Sequence, residues 1–263
     1  MRLFELAAVA AYGACWGSFL NVVVWRLPRE ESLVTPRSRC PRCGKAIAWH
    51  DNIPVLSWLQ LRGRCRGCRK PVPARYPLVE LATALLTAAL WLRWPGRPLW
   101  AAAAAVCAGA LLAVALIDWD TFLIPDELSL GLVVAGLLVS PLNPYMDPGP
   151  WGEWWRAPWW SLRGALIGFF LGWGLAAAGE WWLKKEAFGG GDVKLLAGIG
   201  AWTGGVGAYD ALLLGSFLGA AYSVFLLARG RLNRADPIPF GPFLAASAVF
   251  NLFRLLPFGW PLL

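Results

Sequence analysis

The chain has 263 residues, 58% of them apolar and only 15% charged, with a net charge of +8. So little charge over that length excludes an ordinary soluble core and makes a lipid bilayer the solvent for most of the chain. Histidine occurs once, at His50, so a Ser-His-Asp triad, a Cys-His pair or a multi-histidine zinc hydrolase site would each have to rest on that one residue in an arginine-rich loop.

Apolar runs between charged or Pro/Gly breaks predict an all-α polytopic membrane protein of eight transmembrane helices. The first covers residues 3–25. Only Arg2 precedes it while a basic segment follows, which suits an uncleaved anchor rather than a signal peptide. Residues 26–76 form a polar loop with twelve Lys or Arg against three acids, Glu30, Glu31 and Asp51. Nucleic-acid binding is one reading of that excess. The positive-inside rule is the commoner cause in a membrane chain, so no nucleic acid is expected and the loop is placed in the cytoplasm.

Within it, Cys40-Pro-Arg-Cys43 and Cys65-Arg-Gly-Cys68 form two CxxC turns separated by 21 residues. Such a pair can offer four thiolates tetrahedrally, and Gly44 allows the tight turn after Cys43. Two disulfides or four free thiols are the alternatives. A reducing compartment favours zinc, and four sulfur ligands leave no open position, so the zinc is expected to be structural.

The second span follows at 77–94 and the third at 98–117. A fourth is predicted at 128–142 and a fifth at 161–183. A short Gly-rich sixth covers 195–209, a seventh 211–228, and the eighth starts near Pro242. The sixth and seventh meet at a turn expected near Gly207. The chain thus divides into a first transmembrane helix (1–25), a cytoplasmic zinc-binding loop domain (26–76) and a seven-helix domain (77–263). Trp154, Trp155, Trp159 and Trp160 resemble an interfacial aromatic belt on the outer side.

Two acidic sites fall where predicted spans meet the cytoplasmic face: Asp118-Trp119-Asp120 running on to Ile124-Pro125-Asp126-Glu127, and Gly189-Gly190-Gly191-Asp192-Val193-Lys194. Carboxylates at a membrane edge are costly and read as functional by default. Asp126 and Glu127 are excused, because acids suit the start of the helix after Pro125. Asp118 has no such excuse at a helix end. Three glycines before Asp192 permit close backbone approach and unusual dihedrals, or mark a flexible loop. Two carboxylates sharing one proton can activate water and protonate an amide carbonyl without a metal.

These residues carry a resemblance. Gly17 to Pro28, the four-cysteine loop, Asp51 to Trp58, Arg75 to Glu80, Asp118 to Asp126, Gly189 to Leu196 and Ile238 to Pro242 follow the order found in the prepilin peptidases. Those are the bifunctional leader peptidase/N-methyltransferases of type IV pilus and type II secretion systems, and the likeness covers nearly the whole chain. It implies a GxGD-type aspartyl protease of the bacterial inner membrane with eight spans and a cytoplasmic active site.

Asp118, six residues before the Ile-Pro pair, and Asp192 are implied as catalytic, with Asp120 the competitor for the first role. Gly189, Gly191, Lys194 and Asp120 are implied as active-site support, and 77–263 as the peptidase domain. The substrates would be prepilins or pseudopilins cut after a glycine that follows a short basic leader. S-adenosylmethionine would methylate the new amino terminus. No glycine-rich cofactor loop marks where that donor binds, and no oligomeric state is implied. The other readings are a proton- or cation-coupled transporter using Asp118, Asp192 and Glu180, and a scaffold docking a partner through the zinc module.

Overall fold

The computed structural model describes residues 2–146, 154–184, 188–231, 233 and 236–254. Among them the fold is helical, with two isolated β-bridges. The helices are α1 (Arg2–Arg26), α2 (Leu56–Gln60), α3 (Arg75–Arg93), α4 (Pro98–Thr121), α5 (Asp126–Val139), α6 (Ala157–Leu183), α7 (Gly190–Ala228) and α8 (Gly241–Phe253). Among the described residues, four segments are long and apolar enough to cross a bilayer: Leu3–Arg29, Pro98–Thr121, Ala157–Trp182 and Gly190–Ala228. The apolar helix Gly241–Phe253 is shorter. Parts of the expected 144–160 belt and of the loops at 184–194 and 229–236 lie outside the described residues, as does the eighth span beyond Arg254. Trp155, Trp159 and Trp160 are exposed.

The chain divides into two compact units, Met1–Gly109 and Ala110–Leu263. In the first, α1 packs on α3 through glycines one turn apart. A Cβ at Gly13 would lie 2.8 Å from the Thr83 carbonyl, and one at Gly17 would lie 2.8 Å from the Glu80 Cα. Small residues at that spacing let two backbones approach, which is how apolar helices associate where lipid removes the hydrophobic drive.

In the second unit the same device recurs. Gly164, Gly168 and Gly172 on α6 face Gly200, Leu196 and Val193 on α7, while Gly198 and Gly136 bring α7 and α5 together. At 39 residues, a straight α7 would span about 58 Å, nearly twice a bilayer core of about 30 Å. It does not run straight. Gly204 adopts φ 73 and ψ 179, a conformation that strongly favours glycine, and divides α7 into two arms. The expected turn near Gly207 therefore lies three residues earlier.

Such a break orphans carbonyls that an unbroken helix would satisfy, and buried carbonyls need partners. Side chains supply them. Ser161 Oγ donates to the Ala201 carbonyl at 2.8 Å and Asn143 Nδ2 to the Trp202 carbonyl at 2.6 Å. Beyond the break, Asn251 Nδ2 of α8 donates to the Gly207 carbonyl at 2.9 Å. Trp202 Nε1 in turn donates to the Leu132 carbonyl of α5 at 2.9 Å. These polar pins fix the first arm of α7 and thereby its opposite end, where Asp192 lies.

Candidate active site

Asp118 lies in the last turn of α4 and is 5% exposed. Asp120, two residues on, points about 200° away around the helix and is exposed. Helical geometry thus separates two carboxylates that look equivalent in the sequence.

A carboxylate near a helix C-terminus faces the negative end of its own dipole. The structure compensates with the start of another helix. Gly241 is the first residue of α8, and its N–H, one of the donors a helix start leaves free, donates to Asp118 Oδ2 at 2.9 Å. Gly241 has room for no side chain: a Cβ there would lie 2.7 Å from Asp118 Oδ2.

Asp192 also occupies a helix start. Gly189 caps α7 with an extended backbone, φ −70 and ψ 147, and Gly190 and Gly191 are already helical. The expected unusual dihedrals are absent from this stretch: none of its glycines has a positive φ. Close approach is what the glycines provide. A Cβ at Gly191 would lie 3.0 Å from Ile124 Cβ, and one at Gly189 would lie 3.2 Å from Asp192 Oδ2. Asp192 Oδ1 is buried and has no hydrogen-bond partner among the described residues.

Ile124 joins the two sites. Its side chain approaches Gly191, next to Asp192, and Gly241, which holds Asp118. Lys194, expected to support the site, has a different neighbour: its Nζ donates to both Asp126 oxygens at 2.7 and 2.8 Å. That exposed pair ties the start of α7 to the start of α5. Glu180, near the end of α6, is exposed.

The four cysteines form a cluster in the first unit. Their sulfurs all lie within 4.8 Å of one another, and Cys40 and Cys68 Sγ are 3.9 Å apart. Tetrahedral bonds of about 2.3 Å to zinc would set sulfurs roughly 3.8 Å apart, so the donor set fits the ion. No disulfide joins them.

The two turns are built alike, each closed by a bridge: Arg39 with Ala46 and Arg64 with Pro71. Gly44 makes the left-handed step of the first turn at φ 70, and Arg69 takes the same place in the second at φ 59. Backbone N–H groups of Cys43 and Arg42 bring the Cys40 thiol down to about 7. Cys43 is pushed up to about 11: the Lys45 N–H lowers it, but desolvation and hydrogen bonds to the other three thiols outweigh that. A metal ion would remove this competition by holding every sulfur as thiolate.

Asp51 clamps the second turn through Arg66, whose Nε and Nη2 reach its carboxylate at 2.7 to 3.0 Å. The Arg66 guanidinium holds the Asp51 carboxyl below its ordinary range. Val55 N–H donates to Glu80 Oε2 at 2.7 Å, fastening the same segment to α3. Buried Arg26 donates to the Ser32 and Pro36 carbonyls, each at 2.7 Å.

Comparison with known proteins places this architecture. Residues 11–94 match the bacterial peptidase A24 N-terminal domain, and residues 105–224 match the type IV leader peptidase family. A prepilin leader peptidase/N-methyltransferase of Burkholderia pseudomallei is 41% identical over 97% of this chain and 87% of its own length. Its counterpart from Aeromonas hydrophila is 41% identical over 88% of this chain and 84% of its own length. The chain belongs to the prepilin leader peptidase/N-methyltransferase family.

An Escherichia coli type 4 prepilin-like protein leader peptide-processing enzyme is 36% identical, with 92% of this chain and 91% of the relative covered. No solved structure matches. In this family member the four cysteines fall in the N-terminal match and Asp118 and Asp192 in the leader peptidase match. Gly241 lies beyond both. Sequence reasoning missed its role, although Phe240-Gly241-Pro242, with proline in the first turn of a helix, was a usable signal.

Proposed function

We propose that Asp118 and Asp192 are the catalytic dyad of a membrane aspartic endopeptidase that removes the leader from prepilins or pseudopilins after glycine. The observation that carries this reading is the arrangement around the two acids. Asp118 is buried and held by Gly241 N–H, Ile124 lies against the glycines beside both acids, and Asp192 keeps a buried oxygen without a partner among the described residues. Two like charges in one semi-dry site cannot both ionise easily, so the pair holds a shared proton. The ionised partner accepts a proton from water as that water attacks the scissile carbonyl. The protonated partner hydrogen-bonds the carbonyl oxygen and donates its proton as the tetrahedral centre forms. Collapse returns a proton to the leaving amine.

The new amino terminus is then N-methylated, with S-adenosylmethionine supplying the methyl group. The cysteine cluster holds a structural zinc, whose closed four-sulfur shell leaves no water to activate. Eight spans, with the two arms of α7 counted separately, place the dyad and the 26–76 zinc domain at the cytoplasmic face of the inner membrane, and 77–263 forms the peptidase domain. Asp120 is a bystander, Gly189 and Gly191 shape the approach to Asp192, and Lys194 supports the site through Asp126, tying the start of α7 to α5. The transporter reading accounts for costly carboxylates but gives the cysteine cluster no role, and family membership does not favour it.

The test is incubation of the purified membrane protein with a prepilin, with and without S-adenosylmethionine, reading product masses. Asp118→Asn and Asp192→Asn should each abolish cleavage while the protein stays folded and metal-loaded, and Asp120→Asn should keep most of it. Retained cleavage in either of the first two variants excludes this dyad.

A further inference from the structure

We propose that the cleft between the second arm of α7 and the start of α8 is a specificity subsite, taking one apolar side chain of the substrate beside the scissile bond. This rests on the dyad reading above and adds the residues that set substrate size. The cleft has a volume of about 220 Å³. One wall is the α7 face of Ser216, Gly219, Ala220 and Ser223, and the other includes Phe240 and Phe243. Small-molecule sites run to roughly 300–1,000 Å³, so this one is sized for a single side chain rather than a cofactor.

The lining decides the chemistry of the occupant. Among the described residues, no charged side chain lines the cleft. Both serine hydroxyls are already engaged, Ser216 Oγ donating to the Leu212 carbonyl at 2.7 Å and Ser223 Oγ to the Gly219 carbonyl at 2.6 Å. A charged or amide side chain entering here would lose hydration and gain little. An apolar one gains burial against the two phenylalanines.

Three connections lead from the cleft to the carboxylates. Phe240 immediately precedes Gly241, whose N–H holds Asp118. The Phe240 ring also meets Phe188, at 5.6 Å between centroids, and Phe188 leads directly into the glycines before Asp192. From the other side, Trp119, next to Asp118, stacks edgewise on Tyr222 at 5.7 Å, and Tyr222 contacts Phe243 at 5.6 Å. A wall this closely joined to both acids suits a residue flanking the bond being cut, since neighbouring residues of an extended substrate are only about 3.4 Å apart.

Two positions gate its size. A Cβ at Gly219 would lie 3.3 Å from the Phe243 ring, so hydrogen at that position keeps the two walls in place. Ala220, exposed and lining the cleft, is where added bulk would take the place of a substrate side chain.

The experiment uses full-length enzyme in lipid nanodiscs and prepilin substrates with Ala, Leu or Phe at each residue flanking the cleaved bond. Wild type should favour the larger residues at one of these positions. Ala220→Leu should lower kcat/KM for Leu and Phe there by about 10-fold to 200-fold, and for Ala by under about threefold. Gly219→Ala, a smaller change, should shift preference the same way and serves if the larger variant does not fold. An equal loss at all three sizes, or none, assigns the cleft to lipid or helix packing and overturns the subsite. If cleavage disappears in Asp192→Asn but shows no size dependence on residue 220, the dyad stands and the subsite falls. Cleavage that survives Asp192→Asn sinks both.

Discussion

Replacing Gly241 by alanine probes the contact that holds Asp118, with little chemistry changed. An ideal Cβ at that position lies 2.7 Å from Asp118 Oδ2, 3.1 Å from its Cγ and 3.2 Å from Ile124 Cδ1. Carbon–oxygen contacts normally sit at about 3.3 Å or more, so about 0.6 Å must be absorbed. The backbone at 241 is helical and accepts alanine, and the end of Ile124 can rotate aside. The carboxylate has less freedom, being buried on α4 beside the fully buried Ile117. A displacement of about 1 Å at a reacting group costs about 100-fold, so about 0.6 Å should cost about 10-fold to 50-fold in kcat. KM should stay within about twofold, because the displaced group acts on the transition state rather than on the docked leader. Overpacking should destabilise the fold by about 1–3 kcal/mol. Gly131→Ala is the control, since a Cβ at that α5 position meets nothing within 4 Å. Mass-resolved leader cleavage gives kcat and KM, and thermal unfolding gives the stability change. A kcat for Gly241→Ala within about twofold of wild type would refute the reasoning.

Gly200→Ala should be among the more destabilising substitutions on α7, by about 2 kcal/mol or more, because its Cβ would run into the Gly164 backbone. Thermal unfolding in detergent checks it, and a shift no larger than that of Gly131→Ala counts against the α6–α7 contact. Lys194 and Asp126 form an exposed pair, so Lys194→Met, Asp126→Asn and the double variant should reveal a coupling of under about 1 kcal/mol in stability. Cys68→Ser, or chelation of the wild type, should take bound metal well below about one equivalent per chain and loosen residues 38–72. Structural zinc in small modules contributes on the order of 10 kcal/mol to folding, and metal analysis with proteolysis of that segment reads the loss.

Much of the helical layout was legible because a bilayer imposes a simple rule. Backbone polar groups must be satisfied inside each apolar segment, so apolar runs become helices and charges mark their ends. Predicted runs at 77–94 and 98–117 correspond to Arg75–Arg93 and Pro98–Thr121. The four cysteines were equally readable, since two CxxC turns carry their own local geometry. The GxxxG-type spacings at Gly13 and Gly17 and from Gly164 to Gly172 were present in the sequence too. Only knowledge of which face meets which neighbour turns such a spacing into a packing statement.

The sequence by itself determined the helical segments, the two CxxC pairs and two acidic motifs, because each follows from residues close together in the chain. Only the tertiary structure decided that Asp118 rather than Asp120 faces inward, that Gly241 supplies its hydrogen bond from 123 residues away, and that Lys194 belongs to Asp126. It also placed the break in α7 at Gly204, where side chains from Asn143 and Ser161 cover the carbonyls around it. Burial, rotation about a helix axis and the partner of a stranded backbone group all depend on what packs alongside, and sequence order does not encode that locally.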